Sequence, residues 1–231
     1  MRHPGAVLAL RALNGHKIVS CCADGAVRLL DLESTRPRAG KNRHSRRVTS
    51  LLQVPEGRIV VSGSLDRTLK IWRSPSDDGE LFVTLGEPVT TLALGPEGRI
   101  LAGASSGLIC AWRLTGSPRV SLEGHRDQIT ALVTTADGRV ISGSADGELR
   151  IWNLHTRQSI IMKGHSARIN VLMMLPDGRL TSASQDNTVR IWDLSLATGT
   201  VLVDQGSGVS VLAVCNRDRI LAGGRMGPCT L

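Results

Sequence analysis

At 231 residues, with 41% apolar side chains, the chain is long enough to bury the core of one large all-β domain or two small ones. One Phe, no Tyr and four Trp are too few for the aromatic platforms that grip single-stranded nucleic acid. The formal charge of +8 suits nucleic acid, an anionic surface or an acidic protein, so the placement of the charges matters more than their sum. No run of about 18 apolar residues predicts a membrane span. Met1-Arg2-His3-Pro4 opens no hydrophobic signal segment, and the expectation is an intracellular chain, cytoplasmic or nuclear, with no membrane partner. Cys21, Cys22, Cys110, Cys215 and Cys229 form neither a CxxC pair nor a zinc spacing, and their odd number speaks against a disulfide framework and for a reducing compartment.

In chain order, runs of β-favouring residues alternate with turn residues. A first strand opens at Val7, followed by Ser20 and Asp24. A basic run then carries Arg36, Arg38, Lys41, Arg43, Arg46 and Arg47, with His44 among them and no acid, and reads as a solvated loop. Further strands open at Val48, Val89, Ile129, Ile169 and Val209. Within these units, Pro55-Glu56-Gly57-Arg58, Pro96-Glu97-Gly98-Arg99, Ala136-Asp137-Gly138-Arg139 and Pro176-Asp177-Gly178-Arg179 read as hairpin turns, because a Gly after an acid supplies the positive φ of a tight turn. Trp72, Trp112, Trp152 and Trp192 fall at intervals of 40 residues, and Asp66, Ser106, Asp146 and Asp186 each stand six residues before their Trp. The clearest unit runs from 129 to 163, with strand a at Ile129 to Thr134, b at Val140 to Ser144, c at Glu148 to Leu154 and d at Ser159 to Met162. A lone four-stranded sheet cannot bury both of its faces, so consecutive sheets must stack, around an axis or as an open solenoid.

Gly124-His125, Gly164-His165, Trp192-Asp193 and the near variant Trp152-Asn153 resemble the signature of WD-repeat proteins, and the resemblance extends over nearly the whole chain. It implies an all-β WD-repeat β-propeller as a single domain over 1–231, of about six blades with the last incomplete. A six-bladed ring with a three-stranded last blade and a part of a larger propeller both stay open. The resemblance also implies structural tetrads, in which a His before strand a joins a Ser of strand b, the Asp of the b–c turn and the Trp of strand c. The matching residues are His44, Ser62, Asp66 and Trp72; His125, Ser142, Asp146 and Trp152; and His165, Ser182, Asp186 and Trp192. Arg43 stands where the first of these would have Gly. The remaining units depart: His3, Ser20 and Asp24 precede Leu30, Leu85, Ala102 and Ser106 precede Trp112, and the last unit has Gln205 and Met226 at the His and Asp positions.

His125, Ser142 and Asp146 look like a hydrolase trio, but the trio recurs at His165, Ser182 and Asp186, which marks a scaffold network and not one activated nucleophile. Ser62-Gly63-Ser64, Ser142-Gly143-Ser144 and Ala222-Gly223-Gly224 lead into strands, not helices, and so read as close-packing segments instead of phosphate cradles. Adjacent Cys21 and Cys22 point to opposite faces of a strand and cannot jointly hold a metal in the usual way. No catalytic residue, metal or cofactor is expected. In propellers of the family resembled, the d–a and b–c loops share one rim around the channel, and Arg46, Arg47, Arg126, Gln128, Arg168, Gln185 and Arg225 fall on it, with Glu87 and Asp127 on the same loops. Guanidinium groups there suit carboxylate or phosphate. The expectation is a non-enzymatic scaffold that binds other proteins, through acidic or phosphorylated segments on this rim. The alternatives are a nucleic-acid-associated basic propeller, which would show steep salt dependence, and a fragment of a larger protein such as a ubiquitin-ligase substrate receptor. The Trp-Asp-x-Arg pattern of one adaptor class is absent.

Overall fold

The computed structural model describes residues 5–13, 17–31, 38–39, 43–55, 59–73, 79–115, 118–216, 219–224 and 227–230. The chain divides into two compact units, Met1–Leu92 and Ala93–Leu231. In the first unit, β1 (Val7–Leu13), β2 (Lys17–Cys22), β3 (Val27–Asp31) and β4 (Arg38–Ala39) form one four-stranded sheet, and β5 (Val48–Val54), β6 (Ile59–Ser64), β7 (Thr68–Trp72) and β8 (Glu80–Thr84) form the next. A third sheet joins β9 (Val89–Leu94), whose first residues belong to the first unit, to β10 (Ile100–Ala104), β11 (Ile109–Trp112) and β12 (Val120–Leu122). The second unit continues with β13 (Ile129–Thr134), β14 (Val140–Ser144), β15 (Leu149–Trp152) and β16 (Ser159–Met162), then β17 (Ile169–Met174), β18 (Leu180–Ser184), β19 (Thr188–Asp193) and β20 (Thr198–Asp204). Among the described residues the sixth sheet has three strands, β21 (Val209–Asn216), β22 (Arg219–Gly224) and β23 (Gly227–Thr230). This is the expected all-β arrangement of consecutive antiparallel sheets, and no described helix is long and apolar enough to cross a membrane.

All six first strands open where the sequence places them. The four predicted hairpin turns differ in detail. Pro96–Gly98 is a short 3₁₀ turn closed by the Arg99 N–H on the Pro96 carbonyl at 3.2 Å, while Glu56, Gly57 and Arg58 lie outside the described residues. Strand c of the clearest unit is shorter than the expected 148–154. The Glu148 N–H is taken by Asp146 Oδ1 at 2.8 Å, and Asn153 leaves the ladder to close a turn on the Gln158 carbonyl at 3.0 Å.

The strands b of the second to fifth sheets, β6, β10, β14 and β18, are buried at every position. The reason is that apolar side chains of one sheet meet those of the next. In the first unit Val19, Cys21 and Val27 pack with Val48, Leu51 and Trp72. In the second, Leu101, Ile109 and Leu122 pack with Ile129, Leu132 and Trp152, and Ile141, Leu149 and Met162 pack with Ile169, Leu172 and Trp192. Each fully buried Leu or Ile contributes about 1.5–3 kcal/mol, so the stacking of sheets, not any single sheet, carries the stability.

Candidate interaction edge and its polar networks

Three sheets hold the same buried chain of hydrogen bonds. In the second sheet the Trp72 indole N–H donates to Ser62 Oγ at 2.8 Å, Ser62 Oγ lies 2.7 Å from His44 Nε2, and His44 Nδ1 lies 2.9 Å from Asp66 Oδ2. In the fourth, Trp152, Ser142, His125 and Asp146 are linked at 2.8, 2.7 and 3.3 Å. In the fifth, Trp192, Ser182, His165 and Asp186 are linked at 2.7, 2.6 and 2.7 Å. A neutral imidazole protonated at Nδ1 satisfies every member, because the indole donates to the hydroxyl, the hydroxyl to Nε2, and Nδ1–H to the carboxylate.

The surroundings favour that protonation state. Burial pushes His44, His125 and His165 below the ordinary histidine value, with the neighbouring Asp opposing it. Burial raises the Asp carboxyls, but donated hydrogen bonds and the histidines outweigh it, so that Asp66 and Asp146 lie below the usual range and Asp186 falls to about 2. His125, Asp146 and Glu148 gather within 4.8 Å of one another, a grouping that resembles a metal cluster. Both His125 nitrogens are bonded within the network, and Glu148 accepts from Arg150 at 3.1 Å. Nor do the Ser oxygens face an open site, since each is buried between an indole and an imidazole.

The Asp of each network also ties down the loop before strand a. The same Oδ2 that faces the histidine also accepts the backbone N–H of an exposed loop residue: Ser45 at 2.9 Å, Arg126 at 3.1 Å and Ser166 at 3.1 Å. A second serine, two residues after the first, does more than pack closely in strand b and completes the clamp. Ser64 Oγ donates to the Arg46 or Arg47 carbonyl, at 3.1 and 2.8 Å, while accepting from Asp66 N–H at 3.1 Å. Ser144 and Ser184 repeat this on the Asp127 and Ala167 carbonyls at 3.1 and 3.0 Å. The recurring pattern Ser-x-Ser-x-Asp, at 62–66, 142–146 and 182–186, was the available signal.

The d–a and b–c loops are thereby joined along one edge of each sheet. Leu65 N–H donates to Arg47 O at 3.0 Å, Ala145 to Gln128 at 3.0 Å, and Gln185 to Arg168 at 2.9 Å. A second set reaches the following sheet, where His44 N–H donates to Gly25 O at 3.0 Å, Leu85 to Arg67 at 2.8 Å, and Gln205 to Asn187 at 3.0 Å. The turn residues at this junction need a positive φ, which Gly25, Gly107 and Gly147 adopt freely and which Arg67 and Asn187 adopt at 73° and 72°.

On this edge of the first unit Arg46, Arg47 and Arg67 are exposed, and among the described residues none of them forms an ion pair. On the edge of the second unit Arg126 and Gln185 are exposed, while Gln128 and Arg168 are half-buried and bonded to one another, the Gln128 carboxamide oxygen accepting from Arg168 Nη2 at 2.6 Å. Asp127 is exposed beside them, its carboxylate capping the Gln128 N–H at 2.6 Å. Arg225 lies outside the described residues, as do His3, Arg36, Lys41 and Met226.

Departures from the full network have local causes. In the fourth and fifth sheets, a Cβ at Gly124 or Gly164 would meet the Arg150 or Arg190 guanidinium at 2.5 or 2.8 Å and the Trp ring at 3.1 or 3.0 Å. The second sheet has the slimmer Lys70 in place of that arginine, which leaves room for Arg43, and Lys70 Nζ donates to the Arg43 carbonyl at 2.8 Å. In the first sheet Arg28, itself buried, pairs with Asp24 at 2.5 Å and engages the carboxylate there. In the third, Leu85, Ala102 and Trp112 are all buried. Gln205 of the last unit has a buried Nε2 without a protein partner among the described residues.

Comparison with known proteins follows this division. The family model described as WD domain, G-beta repeat matches residues 38–73, 116–153 and 156–193, the segments that hold the three complete networks. The crystal structure of the computationally designed Ika8 protein is similar to this chain at 27% identity and a TM-score of 0.80, over 96% of this chain and 69% of that one.

Proposed function

The chain belongs to the WD-repeat family, whose repeats serve in general as protein-interaction scaffolds, and from that premise we propose that it binds acidic or phosphorylated segments of partner proteins on the edge formed by its d–a and b–c loops. One observation supports this reading above the others. The backbone of Arg46 and Arg47 is pinned by the Ser64 hydroxyl and the Leu65 N–H, while their guanidinium groups stay exposed and free of acidic partners among the described residues. A charge on a fixed backbone loses less entropy on binding than one on a mobile loop. Guanidinium pairs bind carboxylate and phosphate through parallel N–H bonds, and a phosphoryl group adds charge and acceptor oxygens. Arg126, Gln128, Arg168 and Gln185 offer a second, more neutral stretch of edge, suited to hydrogen-bonding a backbone as much as a charge. No step of chemistry is needed for this role, and the protein acts as a non-enzymatic scaffold.

The test is the affinity of labelled Asp-rich and phosphoserine peptides, read by fluorescence anisotropy near physiological salt. The Arg46→Glu/Arg47→Glu variant is expected to bind at least about tenfold more weakly, equivalent to roughly 1.4 kcal/mol. Arg157→Glu, an exposed charge in the turn after Trp152, is expected to leave affinity unchanged. Equal losses in the two variants would sink the reading, as would tighter binding of duplex DNA than of either peptide.

A further inference from the structure

We propose that the groove between the fourth and fifth sheets, at the Arg190 guanidinium, receives an extended segment of a partner protein that carries a carboxylate between aliphatic side chains. The inference rests on one position of strand c, two residues before the Trp position, and on what each sheet sets against it. Arg28 of the first sheet pairs with Asp24 at 2.5 Å. Lys70 of the second donates to the Arg43 carbonyl at 2.8 Å, and Cys110 of the third lies 3.8 Å from Ser121 Oγ. Arg150 of the fourth reaches Glu148 at 3.1 Å and Ser159 at 3.2 Å. Arg190 of the fifth has no hydrogen-bond or ion-pair partner among the described residues, and its Nε is sealed from solvent without one.

Two replacements account for the difference between Arg150 and Arg190. Thr188 stands where the fourth sheet has Glu148, and its hydroxyl is turned to Asp186 Oδ1 and His165 Nδ1, at 2.7 and 3.2 Å. Gly199 stands where the fourth sheet has Ser159, each pairing with its Trp across the c–d ladder. A Cβ at Gly199 would run into the Trp192 ring, so the ladder supplies no hydroxyl there. Asp204, opposite Thr188, accepts the Gly206 N–H at 2.9 Å and forms no ion pair among the described residues. A half-buried cation left without a counter-charge is costly, and an incoming carboxylate relieves that cost through charge-assisted hydrogen bonds.

Both sheets belong to the second unit. Arg190 and Trp192 share one face of β19, and Trp192 packs with Ile141, Leu149 and Met162, so the guanidinium is turned towards the fourth sheet. It lies against Gly164, where a Cβ would stand 2.8 Å from Nη1, and Gly164 is itself exposed. The sides of the groove are aliphatic. Val201, opposite Arg190 in the ladder and hence on the same face, is 50% exposed. Ile160, opposite Ile151 on the face that β16 turns to the fifth sheet, is 57% exposed. β20 is the edge strand of its sheet, so an extended segment has room to lie along it. One unpaired guanidinium between exposed aliphatic side chains is complementary to one carboxylate between aliphatic side chains.

The test uses the full chain carrying Arg46→Glu and Arg47→Glu, so that the basic edge of the first unit takes no part, in an NMR titration. The probe is a capped peptide with one glutamate between two leucines. Shifts are expected at the amides of Gly164, Arg190 and Val201, and the same peptide with glutamine in place of glutamate is expected to bind at least about tenfold more weakly. Adding Thr188→Glu copies the fourth sheet and occupies the guanidinium from within. It is expected to weaken the glutamate peptide by the same factor at an unchanged melting temperature, whereas Thr188→Val leaves the affinity within about twofold. Equal affinity for the two peptides overturns the proposal, as do shifts confined to other residues, an undiminished affinity in Thr188→Glu, or no binding. Each of these results is independent of whether Arg46 and Arg47 bind acidic segments, since both are absent from the protein tested.

Discussion

Replacing Ser182 by alanine is expected to destabilise the protein by about 3 kcal/mol, since it strands two buried groups at once. Ser182 Oγ accepts the Trp192 indole N–H at 2.7 Å and bonds His165 Nε2 at 2.6 Å, and Ser182 and Trp192 are 0% and 1% exposed. Each buried donor or acceptor left without a partner costs about 1–3 kcal/mol, and no solvent reaches these two without opening the stack. The cost belongs to the mismatch, not to the loss of the hydroxyl itself. The third sheet shows the alternative, with Leu85, Ala102 and Ser106 at the corresponding positions and Trp112 still buried. Changing His165→Leu, Ser182→Ala and Asp186→Ser together is therefore expected to cost at least about 1 kcal/mol less than the sum of the three single changes. Urea unfolding of the four variants measures this, and simple additivity would contradict a coupled network.

The same networks predict loss of stability on mild acidification. His44, His125 and His165 are held below the ordinary value of 6.5 by burial, so the unfolded chain takes up protons that the folded chain refuses. Where the unfolded state binds more protons, stability falls as pH falls, by about 1.4 kcal/mol per pH unit for each proton taken up. The loss begins near pH 6.5 and runs down to the lowered folded values. A second loss starts near the ordinary Asp value of 3.8 and continues towards the value of about 2 at Asp186, because those carboxylates are stabilised only when folded. Melting temperatures are expected to be flat above pH 7 and to drop between pH 6.5 and 5. His165→Gln would take part of that drop away, and a flat profile through pH 5 would show that the imidazoles are not held neutral.

Much of the fold could be read from a single period. Four tryptophans spaced by 40 residues, with Asp six residues before three of them, mark the second to fifth sheets, and the β-favouring runs at Val7 and Val209, about one period further out on either side, mark the first and sixth. The residues of the networks could be read for the same reason, because a pattern repeated at a fixed offset survives without any knowledge of contacts. What escaped was set by which side chains pack against one another. That Lys70 makes room for Arg43 depends on which side chain crosses the Trp face, and that Arg28 engages Asp24 depends on the burial of an arginine, which a basic sequence does not advertise. The serine clamp at Ser64, Ser144 and Ser184 repeats in the sequence, but small residues in strand b have a sufficient reason in close packing, which hid their second role. The exposed arginines were visible as charges only. Nothing local distinguishes a guanidinium on a pinned loop from one on a mobile loop, and that difference lies in hydrogen bonds made by the backbone beneath it.

Amide hydrogen exchange at Ser45, Arg126 and Ser166 reports whether the buried networks hold the loop edge rigid. All three residues are exposed and lie outside the strands, yet each N–H is bonded to the Asp of its network at 2.9–3.1 Å. If the networks hold the edge, these amides exchange as slowly as those of the neighbouring strands. Exchange at the rate of an unstructured loop would show the edge to be mobile, and would remove the physical basis for a preformed binding surface.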